Sequence, residues 1–158
     1  MTEDEVIVDL LNTKPVVDGR VTELLDERWL TAHNAGGIPV GAARGVRDDL
    51  QRVVRGEAGP ETLQPYLRDV RRIPRATADG IEWSTEAGWA ARVVLAWGEL
   101  ERALPGRLRP CANDECRLFL LDRSRAGRAR WCSMQGCGNR MKARRHYDRV
   151  RNVDRPAD

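Results

Sequence analysis

The chain has 158 residues, 32% of them charged, and a mean hydropathy of −0.56, enough for one moderate core with a small appendage. Nothing in it approaches the roughly 18 apolar residues of a membrane-spanning helix, and the acidic start Met1-Thr2-Glu3-Asp4-Glu5 has no apolar run behind it, which reads against a secretory signal and leads us to expect a cytoplasmic chain. The net charge of +3 conceals a split: residues 1–106 carry 13 Lys+Arg against 18 Asp+Glu, a net of −5, and residues 107–158 carry 14 against 6, a net of +8.

The first two thirds read as a succession of short helices. Val6, Leu10 and Leu11 make an apolar stripe closed by the polar cluster Asp9, Asn12 and Thr13. Short polar side chains at a helix end satisfy its own backbone, and these three are also the candidate ligand-binding residues of this part. Three further stripes fall at helical spacing: Val21, Leu24, Leu25, Trp29 and Leu30; Val46, Leu50, Val53 and Val54; and Leu63, Leu67 and Val70, the last with Pro60 and Pro65 near its start. Arg75 to Trp83 predicts a hairpin turning at Asp79-Gly80. The longest helix is expected to begin at Ser84 as N-cap, followed by Thr85 and Glu86. It carries Trp89, Val93, Trp97, Leu100 and Leu104 at spacings of 4, 4, 3 and 4. Trp29, Trp83, Trp89 and Trp97 read as core rather than pocket lining, since a small helical domain needs large apolar side chains. Neither His33 nor His146 has a catalytic partner by spacing.

Leu104-Pro105-Gly106-Arg107-Leu108-Arg109-Pro110 stops that helix and marks a boundary. It separates a helical domain over 1–104 from a second unit over 105–153, with a disordered tail expected over 154–158. All four cysteines lie in the second unit, as Cys111-Ala-Asn-Asp-Glu-Cys116 and Cys132-Ser-Met-Gln-Gly-Cys137, with fifteen residues between the pairs. Two close pairs joined by a short stretch supply the corners of a tetrahedral zinc site. The competing reading is a disulfide framework, but a reducing compartment favours metal for paired thiols, and neither loop has the Cys-x-x-Cys spacing of a redox pair. Zn2+ is therefore the expected cofactor, with Cys111, Cys116, Cys132 and Cys137 as ligands. Protein fills all four positions and no nucleophile–base pair stands beside them, so an enzyme is not expected.

Residues 117–122 and 127–131 read as two strands turning between Asp122 and Gly127, the second delivering Cys132. Cys137 then opens a helix to about Val150. At 100° per residue, Ala143, Tyr147 and Val150 share a side expected to pack on that hairpin near Phe119 and Trp131. Lys142, Arg145 and Arg149 gather on the opposite side with Arg144 on the flank, and Asp148 is the only acid between Cys137 and Arg151. Like charges three and four apart destabilise a helix, and phosphates would relieve the repulsion. Double-stranded DNA is the expected partner, met by Lys142, Arg145, Arg149, Arg144, Arg125, Arg128 and Arg130. With Tyr147 the only aromatic along the basic helix, single strands are disfavoured. The fold class is mainly α within α+β: a helical N-terminal domain with a small hairpin, then a treble-clef-like zinc finger with four cysteine ligands.

Cys-Ala-Asn-Asp-Glu-Cys (111–116), Asp122-Arg123-Ser124-Arg125, Trp131-Cys132-Ser133-Met134 and Cys137-Gly138-Asn139-Arg140-x-Lys142 closely resemble the CGNR zinc finger. Asp9-Leu-Leu-Asn12-Thr13, with the Leu- and Trp-bearing segment 21–33, resembles its usual companion, the ABATE domain. The resemblance implies a bacterial, stress-induced transcription regulator whose N-terminal domain senses a small-molecule effector or mediates dimerisation. It implies ligation by the four cysteines, a tight passage at Gly138, and support of the knuckle by Asn139 and Arg140. The rival from another class is a protein–protein interaction module, in which a zinc-stapled basic face docks on an acidic surface.

Overall fold

The computed structural model describes residues 3–153, and the tail expected at 154–158 lies outside the described residues. Helix α1 (Glu3–Leu11) buries Ile7, Leu10 and Leu11 completely. Side chains close its C-terminal end: Thr13 Oγ1 donates to the Leu10 carbonyl and the Gln51 amide to the Leu11 carbonyl, both at 2.7 Å, satisfying acceptors the helix itself leaves open. The chain then reverses between two-residue strands β1 (Val16–Val17) and β2 (Arg20–Val21). Asp18 and Gly19 at this turn have φ of 49° and 75°, the left-handed pair of a tight hairpin turn that suits Asp-Gly. This turn displaces the helix expected from Val21. Val21 and Leu24 are exposed, and α2 runs only over Glu27–Ala32, capped by Asp26, whose carboxylate accepts the Trp29 N–H at 2.8 Å.

Helix α3 (Val40–Val54) buries Val46 and Leu50 of its predicted stripe and leaves Val53 and Val54 half-buried, while Ala43 and Arg47 are buried beside them. The Arg47 guanidinium is fully enclosed. It makes a two-armed pair with Glu23 at 2.6 and 2.7 Å and donates to Asp48 and to the Thr13 hydroxyl at 2.9 Å. Burial works against both charges, yet their hydrogen bonds win, holding Glu23 below its ordinary pKa and Arg47 above it. The network ties the end of α1, the exit of β2 and the middle of α3 into one unit.

Pro60–Leu67 forms a 3₁₀ segment rather than an α-helix, with Val70 beyond its end; Pro65 inside it has no N–H to donate. Strands β3 (Arg71–Thr77) and β4 (Gly80–Glu86) pair antiparallel about Ala78-Asp79. This hairpin is longer than predicted and takes in Ser84, which faces Ile73 and donates its hydroxyl to the Ile73 carbonyl at 3.4 Å. Ser84 is thus a strand residue, not an N-cap, and α4 (Trp89–Ala103) starts from Gly88 instead. Helix α4 lays Trp89, Val93, Val94 and Leu100 on the core shared with α1 and α3. Among the tryptophans, Trp89 is buried and Trp29 and Trp97 are partly so, but Trp83, on the hairpin, is 55% exposed.

The last third joins the same core. Strands β5 (Leu108–Pro110) and β6 (Phe119–Leu121) pair antiparallel, and Leu108 and Phe119 pack with Ile7, Leu10 and Leu50. The Asn12 side chain behaves as an extra strand residue on β6, accepting the Phe119 N–H at 2.7 Å and donating to the Phe119 carbonyl at 3.2 Å. Arg55 lies 4.3 Å over the Phe119 ring and donates to the Arg117 carbonyl. The strand expected over 127–131 does not form. Its Gly-Arg-Ala-Arg alternation offers no apolar face, whereas β5 brings Leu108, so β6 pairs with β5 around the first knuckle. A π-helical turn (Met134–Gly138) leads into α5 (Asn139–Val153). The architecture is α+β, mainly helical, with three small antiparallel hairpins and a C-terminal finger. No helix among the described residues is long and apolar enough to cross a membrane.

Candidate metal centre

The four cysteines converge from both knuckles. Cys111 leaves β5 with its N–H on the Leu118 carbonyl at 2.8 Å, and Cys116 closes the first knuckle by donating to the Asn113 carbonyl at 2.8 Å. The Ala112 N–H reaches the Arg130 carbonyl at 2.8 Å, which draws the second knuckle alongside the first. Cys137 sits in the π turn, where Ser133 caps the Gly136 N–H through its hydroxyl and accepts the Gly138 N–H on its carbonyl, both at 3.0 Å.

The sulfurs of Cys116 and Cys132, and of Cys132 and Cys137, stand 3.7 Å apart, and all four lie within 4.8 Å of one another. Thiolates about 2.3 Å from a zinc ion form a tetrahedron whose edges are about 3.8 Å. A disulfide needs about 2.05 Å, so the separation fits metal ligation and not cross-linking. The chemistry of the cluster agrees. Burial pushes Cys116 up to about 11, and burial followed by the neighbouring thiols pushes Cys132 higher still. Thiolates gathered this closely repel one another, and a cation at their centre relieves that repulsion. The site binds Zn2+ through Cys111, Cys116, Cys132 and Cys137.

The polar groups that serve the sulfurs differ from those expected. Asn113, 1% exposed, donates its amide to Cys137 Sγ at 3.4 Å and uses its carbonyl oxygen to accept the Glu115 N–H at 3.3 Å. The Cys132 N–H points at Cys111 Sγ, also at 3.4 Å. Burial works to raise the Cys137 pKa, but the Asn113 amide and the adjoining thiols outweigh it and hold that group below its ordinary value. Asn139 and Arg140, by contrast, are exposed at the start of α5, and among the described residues neither makes a side-chain hydrogen bond to a cysteine. Arg140 lines a cleft of about 780 Å³ between the knuckles and the β1–β2 turn. Gly138 is buried, and a Cβ there would come within 2.9 Å of Met134 Sδ and 3.3 Å of the Trp131 ring. Close packing, rather than a left-handed backbone, is what calls for glycine.

Asp122 organises the loop that replaces the missing strand. Its buried carboxylate accepts Ser124 Oγ at 2.6 Å, the Ser124 and Ala129 N–H groups at 2.9 Å, and the Arg109 guanidinium in a close ion pair. The Ser124 hydroxyl leads the effects that hold its pKa down to about 2. Arg109 also donates to the Gly127 carbonyl at 2.9 Å, and Arg107 to that of Ser124 at 2.8 Å. Gly127 has φ of 63°, and a Cβ there would strike the Arg107 guanidinium at 2.6 Å.

The expected DNA-contacting residues, Lys142, Arg144, Arg145, Arg149, Arg125, Arg128 and Arg130, are all exposed. Among the described residues only Arg144 of these meets an acid, Glu115 at 3.6 Å, and Arg130 lies 5.3 Å from the Trp131 ring. The packing expected of Ala143, Tyr147 and Val150 is corrected. All three are exposed, Tyr147 by 73%, because α5 packs chiefly on the π turn while Phe119 is drawn into the helical core. Asp9, Asn12 and Thr13 each have a partner within the fold: Asp9 binds His33 Nε2 at 2.9 Å, Asn12 holds β6, and Thr13 binds Leu10 and Arg47.

Residues 107–150 match the model of the CGNR zinc finger family, a span that runs from just before β5 through most of α5. A search of curated proteins finds no match to the chain.

Proposed function

We propose that this chain is a zinc-dependent DNA-binding transcription regulator whose finger engages duplex DNA through α5. The observation that carries the reading is the disposition of charge. Several arginines elsewhere are committed to acids or carbonyls, Arg47 to Glu23, Arg109 to Asp122, Arg123 to Asp4 and Arg44 to the Leu25 carbonyl, and free ones such as Arg28 and Arg92 stand singly on the acidic body. On α5, Lys142, Arg145 and Arg149 have no acidic partner among the described residues and stand in solvent. The helix is about 22 Å long at 1.5 Å per residue, and a major groove about 12 Å wide admits such a helix. In this pose the cationic side of the helix meets the phosphates. The helical body, ABATE-like in its Asp9–Thr13 segment, supplies the signal input in this reading, with a bound small molecule as effector. No catalytic step is assigned to the chain.

Fluorescence anisotropy of zinc-loaded full-length protein with labelled duplex DNA, over a range of salt concentrations, tests the reading. Loss of three phosphate contacts lowers the slope of log K against log salt by about 2.7. We expect Lys142→Ala, Arg145→Ala and Arg149→Ala together to do this, and the corresponding triple Glu variant to abolish binding with zinc retained. Unchanged affinity in the Glu variant would shift the basic face to a protein partner.

A further inference from the structure

The β3–β4 hairpin projects from the body, and every residue in its strands is exposed except half-buried Thr77. A two-stranded ribbon alone is marginal in water; three or more strands with an apolar face, or packing on a helix, are what give independent stability. This one carries an uncovered apolar face. By the two-residue alternation, Arg72, Pro74, Ala76, Ile81, Trp83 and Thr85 lie on one side, where Ile81 is 61% and Trp83 55% exposed and the Arg72 guanidinium stands 5.0 Å from the indole ring. The other side sets Arg71 against Glu86 and Arg75 against Glu82, opposite charges at facing positions that suit solvent.

The two free edges are unequal. The register closes on Thr77 and Gly80 across the two-residue turn, so Arg75–Glu82, Ile73–Ser84 and Arg71–Glu86 are the hydrogen-bonded pairs. The main-chain groups of Arg72, Pro74 and Ala76 therefore face outward on β3, and those of Ile81, Trp83 and Thr85 outward on β4. Pro74 has no N–H, so the β3 edge lacks its central donor. The β4 edge is complete and carries no proline or lysine to protect it.

We propose that β4 pairs antiparallel with β4 of a second copy about a twofold axis at Trp83, making a continuous four-stranded sheet. This register sets Trp83 beside the partner's Trp83, Ile81 beside the partner's Thr85, Glu82 beside the partner's Ser84 and Gly80 beside the partner's Glu86. All the outward groups of β4 are used, forming about six main-chain hydrogen bonds, and no carboxylate faces another. A shift centring the axis on Glu82 would oppose Glu82 to its own mate, and one centring it on Ser84 would oppose Glu82 to Glu86; like charges directly opposite are destabilising. Charge and the use of all the outward groups together select the register centred on Trp83. The inference concerns assembly and stands independently of DNA binding.

Sedimentation velocity on the zinc-loaded full chain tests it. The wild type is expected at twice the 17.8 kDa chain mass. Trp83→Glu and Trp83→Lys should each sediment as monomers, since each sets a charge against its own copy, and an equimolar mixture of the two should regain a dimer. Circular dichroism and zinc content should stay at wild-type levels in both, because Trp83 lies outside the core. A monomeric wild type, dimers persisting in either single variant, or a mixture that remains monomeric would each overturn the proposal.

Discussion

Asn113 shows how a single side chain completes the zinc site. It is buried, and its amide is divided between Cys137 Sγ and the Glu115 N–H, so it both orients the first knuckle and stabilises a thiolate of the second. Groups in this position tune metal affinity by about 10–100-fold. Asn113→Ala is therefore expected to weaken zinc binding by that factor in competition with a chromophoric chelator, while Asn139→Ala leaves it near wild type; equal effects from the two would remove Asn113 from its role. The ligands themselves are legible in the sequence, because cysteine pairs at fixed spacing have few other uses. Asn113 is less so, since an asparagine in a knuckle reads first as a turn residue. Arg47 gives no signal at all: on an amphipathic helix it reads as a solvated charge, and only its fully buried pairing with Glu23 shows otherwise. Asn12 stands out by position, but the bond it makes to Phe119, 107 residues away, lies beyond any local pattern.

Among the elements, long stripes survive and short ones yield to turns. The apolar spacing of α3 and α4 is met in the structure. Val21 and Leu24 fit a helical spacing, but the Asp18-Gly19 turn signal just ahead of them is the stronger instruction and sets them on a hairpin and its exit. Ser84 carries a good N-cap side chain, but the β3–β4 ladder claims it first. The 127–131 segment is expected to pair with 117–122, and instead Asp122 gathers it into a loop through four donors. That carboxyl is held down to about 2 from an ordinary 3.8. A depressed acid stabilises the fold fully above its unfolded pKa and loses that contribution as pH falls through the folded one. The melting-temperature gap between wild type and Asp122→Asn should therefore stay constant above about pH 4 and close as pH approaches about 2. The comparison cancels the loss of zinc common to both proteins; a gap independent of pH over that interval would show that the charge of Asp122 does not hold the loop.

At the scale of the molecule, the charge split of the sequence reappears as a division of labour. The acidic body turns carboxylates on its own Arg47 and Lys14, and clasps the finger through the Asp4–Arg123 pair, Asn12, Arg55 and the shared burial of Leu108 and Phe119. The finger is left with a projecting basic helix whose base is the zinc-bound π turn. Zinc binding contributes about 10–16 kcal/mol of folding free energy in small finger peptides, so the metal decides whether α5 has a fixed platform, while β6 keeps its hold on the body through Asn12. Under the proposed function, DNA binding therefore depends on the metal. Duplex binding of the full-length protein, followed by anisotropy before zinc chelation, after it, and after zinc is restored, is the measurement that tests this most directly. Affinity is expected to fall on chelation with the helical circular dichroism of the body retained, and to return with Zn2+. Equal affinity with and without the metal would contradict it, reducing the finger to a cationic tail that needs no shape.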